Sequence, residues 1–497
     1  MAETSIEVGG INIGTKTADP QQRPKSPDTI FQALIMANFS GHQSPAILLK
    51  PKQVDRDNFD SLLENINPTL NLQITDQHHI EIAFSTLEDF EPDSLFNKLD
   101  VFSELRSLRR RLSNQATFME AAMEMGAKQK DSPATTETAN ISATDLLSAT
   151  LSETSDRSQD YSRDEDLVKN IIHDIVAPYI IPKADPQQAE LIHSVDQSIS
   201  GLMNNILHHA DFQALESAWR GLYFVIKRVE TSSNLKIFLL DISKSQLMEN
   251  TQAADISQSA FFKSLVEPYC MVPGATPWSI WIGDYTISDD TQDILLMGRM
   301  GKLAEFANIT FVSSASPQLV SCDDLAITPE PEDWNIERDR KALAAWLLIR
   351  ESSEARHLAL TFPRVLMRLP YGNKTRGIEN FNYEEMQGSE HRNYLWGSAG
   401  YGVLTLLAQS YTVNKWQFKP GSINELTQMP LHFYEEDGET EQKPCAEILM
   451  TERSAEIIKQ YGIIPVWSVK NSDAVRIGPI VSLFQQSQLI IGNWVSG

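Results

Sequence analysis

The chain has 497 residues, 41% of them apolar, which exceeds one ordinary core and predicts two or three folded units. Asp and Glu outnumber Lys and Arg by 66 to 42, and the resulting formal charge of −24 repels phosphate backbones and anionic lipid surfaces, so nucleic acid and membrane insertion are excluded as partners. Cys270, Cys322 and Cys445 form no CxxC pair and read as small core residues of a reducing compartment; with no signal peptide and no bilayer-length apolar run, the expected location is the cytoplasm.

Residues 1–30 are polar and broken by glycine and proline, leaving two alternating pairs, Ile6 with Val8 and Ile11 with Ile13. This arm is too poor in apolar residues for a core, and Ile11 and Ile13 are candidates for adding as a strand to a sheet edge in an assembly. Phe31–Phe39 reads as a buried strand. Asp55 or Asp57 is placed to cap a helix carrying Phe59, Leu62, Leu63 and Ile66, closed by Pro68. Leu70, Leu72 and Ile74 alternate, as do Ile80, Ile82 and Phe84, around a polar hairpin connection. A helix is expected over 94–112, with Arg106, Arg109, Arg110 and Arg111 on a solvated or partner-facing side.

The segments FQALIMANFSG, VDRDNFDSLLENINPTLNLQI, IEIAFSTLEDFEPDSLF and LRSLRRRL, running from Phe31 to Leu112, resemble the small sheath subunit of bacterial type VI secretion systems. Residues 126–165 then turn polar and lose their aromatics, the composition of a linker. At about forty residues in the flexible regime its r.m.s. reach is roughly 35 Å. Within it ISATDLLSATL is an amphipathic island, with Leu146, Leu147 and Leu151 on one helical face; it reads either as a docking helix or as a transient one.

From residue 166 apolar periodicity returns. Leu191, Ile192, Val195, Ile199, Leu202 and Ile206 form one helical stripe, HHADF a break, and Leu215, Trp219, Leu222 and Ile226 a second stripe. Strands are expected at Leu235–Ile242, Trp278–Tyr285 and Ile309–Ser313, with helices over Thr291–Ala307 and about 337–351. Leu358, Leu360 and Phe362 predict a half-buried strand ended by Pro363, and Pro370-Tyr371-Gly372 a turn. Between them Arg364 and Arg368 would share one edge of a helical segment, either as solvated charges or as an ion-pair anchor between subunits. Tyr394–Tyr411 reads as a buried helix, Ala446–Met450 and Ile463–Val469 as strands, and Thr451 as the start of the helix between them.

The blocks HHADFQALESAWRGLYFVI, LKIFLLDISKSQL, DILLMGRMGKLAEFANITFVSSASPQL, RESSEARHLALTFPRVLMRLPYG and EILMTERSAEIIKQYGIIPV resemble the large sheath subunit of the same secretion machine, in the same order, over about Asp145–Ile477. The resemblance implies a mixed α/β chain: a small sheath-like α/β domain over 31–125, the linker 126–165, and a larger layered α/β sheath domain over 166–497. It further implies a cytoplasmic bacterial structural protein that assembles with itself or other sheath subunits around an inner tube protein, next to a baseplate and a membrane-anchored apparatus. In the family a recycling AAA+ ATPase recognises a helix where the 141–151 island falls. Beyond Ile477 the family carries a further segment, while this chain stops at Gly497. The terminal run Leu489–Trp494, with Leu489 and Ile491, is therefore expected as a strand that substitutes for that linkage; otherwise the chain is a non-polymerising adaptor, initiator or cap joining sheath to baseplate.

No constellation supports catalysis, a cofactor or a metal. His78 and His79 lack accompanying carboxylates. GSAGYG from Gly397 has no Lys-Ser/Thr after it and reads as close helix packing. His208 and His209 read as cap and surface, and Glu384 and Glu385 are adjacent rather than opposed. An enzyme would have to act through residues that the sequence does not assemble.

Overall fold

The computed structural model describes residues 5–8, 11–14, 29–41, 49–75, 78–130, 188–328, 330–334, 339–386, 388–436, 438–486 and 488–495. The chain divides into two compact units, one of residues 1–68, 214–369 and 388–497, the other of 69–213 and 370–387. These units cut across the expected 31–125 and 166–497 division, and residues 126–130, expected in the linker, complete a helix.

The strands are β1 (Ser5–Val8), β2 (Ile11–Gly14), β3 (Phe31–Ala37), β4 (Lys52–Val54), β5 (Thr69–Thr75), β6 (His78–Ala83), β7 (Leu235–Asp241), β8 (Ile280–Ile287) and β9 (Phe311–Ala315). They continue as β10 (Leu358–Phe362), β11 (Val365–Leu366), β12 (Trp396–Gly397), β13 (Glu425–Leu426), β14 (His432–Glu436), β15 (Glu439–Lys443), β16 (Ile464–Ser468) and β17 (Val475–Ile477). Helices are α1 (Phe59–Ile66), α2 (Pro92–Lys98), α3 (Ser103–Ser113), α4 (Phe118–Lys130), α5 (Gln188–Leu207), α6 (Ala210–Arg228) and α7 (Lys244–Asn250). After a π-helix at Phe262–Met271 come α8 (Thr291–Ala307), α9 (Arg340–Glu351), α10 (Gly400–Asn414) and α11 (Glu452–Gln460).

The first unit is built on a nine-stranded sheet of order β13-β17-β16-β10-β9-β8-β3-β7-β4. Its inner strands β7, β3, β8, β9, β10 and β16 are parallel, with antiparallel β4 and β17 flanking them. Parallel strands are covered on both faces and need continuous apolar runs, which explains FQALIMA: every residue of β3 is buried. The same rule corrects the reading of β10. LALTF is buried at every position, not on one face, because it lies between β9 and β16.

Leu34 and Met36 join one side of the core with Met297, Trp346, Leu358 and Leu360. On α6, Trp219 donates its Nε1 hydrogen to the Phe39 carbonyl at 2.9 Å, with the two rings 5.1 Å apart. Gly221, also on α6, lies under the Tyr401 ring of α10, where a Cβ would come within 2.3 Å of a ring carbon.

Several local expectations shift for physical reasons. Asn58, rather than Asp55 or Asp57, is the N-cap residue of α1, while the Asp55 carboxylate accepts from the Asp57 and Asn58 amides and holds the turn before it. The helix expected over 94–112 breaks at Leu99 into α2, a 3-10 turn and α3, and Arg106 donates to the freed Phe96 and Leu99 carbonyls. Helix α10 starts at Gly400, since Trp396–Gly397 is used as a strand against Val365–Leu366. Ala446–Met450 is not a strand, and neither is Leu489–Trp494.

In the second unit the β5–β6 hairpin and helices α2–α5 pack with the loop 370–387. Phe84 stacks on Phe90 at 4.1 Å, and Phe212 meets both edge-on. Two further arginines of α3 serve this unit internally, Arg109 pairing with Asp196 at 2.6 Å and Arg111 with Glu124 at 2.7 Å, while Arg110 is exposed. The loop is tied down by Asp93, which accepts from the Glu379 and Asn380 amides, and by the Tyr383 hydroxyl on Asn204 at 2.6 Å.

Removing β3 separates β7 from β8, opens one hydrogen-bonding edge of each, and empties the buried sites of Phe31, Leu34, Ile35 and Met36. At about 2 kcal/mol for each buried side chain, this loss rivals the whole stability of a typical domain. Residues 188–497 expressed alone are expected to be unfolded or insoluble, and residues 1–130 supplied in trans to restore soluble protein; circular dichroism and gel filtration check both.

Candidate assembly site

The stretch His357–Trp396 contributes to both compact units. In the first unit it enters through β10, whose exit peptide, Phe362–Pro363, is cis. The segment that follows is not helical: β11 occupies Val365–Leu366 and Arg364 and Arg368 flank it. The two arginines therefore do not form one edge of a helix, and each finds a different carboxylate within its own chain.

Arg364 binds Glu447 three ways, through its amide at 2.8 Å, Nε at 3.1 Å and Nη2 at 2.7 Å, and His391 Nε2 lies 3.1 Å from the same carboxylate. Burial alone would raise the Glu447 carboxyl, but the charge and hydrogen bonds of Arg364 and His391 outweigh it and hold the group at about 2. Ala446–Met450 is irregular where Glu447 itself takes φ 44°, outside the strand region. Arg368, 8% exposed, donates through Nε to fully buried Glu216 at 2.8 Å. Arg220, one helical turn along α6, reaches the same oxygen at 2.7 Å.

A third polar contact joins β8 to α10, where the Tyr401 hydroxyl donates to Asp284 Oδ2 at 2.9 Å. Burial raises the Asp284 carboxyl to about 6. His357, buried and bonded through Nδ1 to the Ile309 carbonyl, is lowered to about 4 by desolvation.

The remaining expected interaction residues divide three ways. Ile11 and Ile13 lie in β2, whose backbone pairs antiparallel with β1 in a register that puts position 13 opposite position 6 and position 11 opposite position 8. Leu146, Leu147 and Leu151 lie outside the described residues. Leu489 and Ile491 are half-buried in an irregular terminal segment held to its own unit: Thr310 donates to the Ile491 carbonyl at 2.8 Å, and Trp494 is buried with its Nε1 on the Ile490 carbonyl.

Glu216 and Glu447 were not singled out by the sequence. A signal existed for the first, since Glu216 and Arg220 are four apart beside an apolar stripe; nothing near residue 447 marks it. Among the described residues no group of three or more His, Cys, Asp or Glu side chains is placed to hold a metal, and no helix is long and apolar enough to cross a membrane.

The VipB family model, described as EvpB, tail sheath N-terminal domain, matches residues 189–482, and the type VI secretion system VipA model matches residues 11–131. The chain belongs to the type VI secretion sheath family. It is 32% identical over 291 residues to the type VI secretion system sheath protein TssC1 of Pseudomonas aeruginosa, a match covering 57% of this chain and 58% of that protein. The chain thus spans little more than half the length of this curated relative. Both sheath segments are present in one polypeptide, and β3 of the VipA-type segment is hydrogen-bonded between β7 and β8 of the VipB-type segment.

The depressed Glu447 pKa fixes a sign. A carboxylate held below its unfolded value stabilises the fold above about pH 4.5 and loses that contribution as pH falls toward 2. Glu447→Gln is expected to cost about 2–3 kcal/mol at pH 7, with the difference from wild type vanishing at acid pH in guanidinium unfolding. Asp284 has the opposite sign. Its contribution is fully present below pH 3.8 and is lost as pH rises through about 6, so Asp284→Asn is expected to melt higher than wild type at pH 7 and no higher near pH 4.

Proposed function

We propose that this chain is a structural subunit of a type VI secretion contractile sheath in which the small and large subunit types are fused. The observation that supports it is the joint sheet: a VipA-type strand, β3, lies inside the sheet between two VipB-type strands, so the fusion secures one-to-one pairing of the two. The linking segment keeps them at about millimolar effective concentration.

In this reading the chain performs no bond chemistry. Work comes from the additional surface that subunits bury against one another when an extended lattice contracts. Strands shared between neighbours hold the lattice together, because their backbone hydrogen bonds persist during sliding. The partners are other sheath subunits, the inner tube protein and the baseplate, in the bacterial cytoplasm beside a membrane-anchored apparatus. The 141–151 island is the proposed recognition element for a recycling AAA+ ATPase, and 31–125 and 166–497 are the proposed small-subunit-like and large-subunit-like domains.

Negative-stain microscopy of the purified chain, alone and mixed with separate sheath subunits of the same system, tests this. Tubes or rings are expected. Monomers at every salt and protein concentration, with no incorporation into co-assembled sheath, would overturn it.

A further inference from the structure

Helix α9 begins at Arg340, fixed there by Asp339, whose carboxylate accepts from the Ala342 amide at 3.0 Å. Its inner side buries Trp346, Ile349 and Arg350, while Arg340, Lys341, Leu343, Ala344, Leu347 and Glu351 are exposed, Leu343 by 36% and Leu347 by 43%. At about 100° per residue Lys341 stands apart on one flank and the other five positions fall within a single stripe about 100° wide. The stripe reads cation, leucine, alanine, leucine, anion along the helix.

We infer that this stripe is a two-fold contact surface whose partner is α9 of a second copy of the chain, running antiparallel. The charges select this occupant. With a rise of about 1.5 Å per residue, Arg340 and Glu351 stand about 16 Å apart along the axis. Reversing a second helix about the midpoint brings Arg340 of each copy to Glu351 of the other and sets Leu347 over Ala344, large against small. A parallel copy would place arginine on arginine and glutamate on glutamate, and a partner of uniform charge would meet one wrong sign.

Little more than one helical turn of apolar surface, Leu343 to Leu347, is well below the roughly 1,200 Å² of total burial that stable complexes need, so the contact is weak. Being isologous, it closes at two copies. It joins chains of opposite direction, so it is not a contact repeated along a polar tube and does not rest on the sheath reading.

Sedimentation velocity of the full chain across a concentration series tests the inference. Below the concentration at which tubes or rings form, the wild type is expected to populate a two-copy species whose share grows with concentration. Arg340→Glu and Glu351→Arg should each weaken it about tenfold or more, the double variant Arg340→Glu/Glu351→Arg should restore it, and Leu347→Asp should abolish it. A wild type without a two-copy species at the highest concentration that leaves the chain unassembled, or a double variant no better than either single one, would overturn the inference. Tubes that form equally well with Leu347→Asp, in the absence of any such dimer, would overturn it while leaving the sheath assignment intact.

Discussion

The backbone hydrogen bonds of β3 to β7 on one side and β8 on the other are the constraint on which the first unit depends. A strand buried on both faces and paired on both edges cannot leave without exposing apolar side chains and unpaired amides together, and each of those costs is large in the interior. The segment carrying β3 is VipA-like and its neighbours are VipB-like, so the division between sheath families is not a division between cores. Joining the two in one chain replaces a bimolecular association with loop closure, whose entropy cost grows only slowly with length.

Buried carboxylates do a second job, fixing irregular backbone where no sheet ladder is available. The segment after β10 has only the two-residue β11, and arginines on either side of it reach Glu447 and Glu216. Removing one member of such a pair leaves a charge buried without compensation, which is why these contacts specify geometry more than they add net stability. Asp284 shows the contrary case. With a tyrosine hydroxyl and no cation bonded to it, its carboxyl is raised by desolvation instead of lowered.

Much of the element order was legible, because apolar period reports local burial. The helix expected at Thr291–Ala307 has those same bounds, and the hairpin around residues 75–78 and the cap at Thr451 also stand where turn and capping chemistry put them. Sheet order was not legible: a fully apolar strand does not announce its neighbours, and β3 pairs with a strand some 200 residues away. Arg364 and Arg368 drew attention as charges beside apolar residues, but their carboxylates lie 83 and 152 positions away, beyond any spacing rule. Strand-like apolar runs misled at Ala446–Met450, where Glu447 takes φ 44°, and at Leu489–Trp494, where only an isolated bridge from Leu489 to Val481 forms.

The central claim, that both family segments share one cooperative core, is tested most directly by native-state hydrogen exchange of the intact chain. Amides of β3 should exchange together with those of β7 and β8, at the free energy of opening of the whole unit. Exchange of β3 through a lower-energy opening, with β7 and β8 still protected, would contradict it.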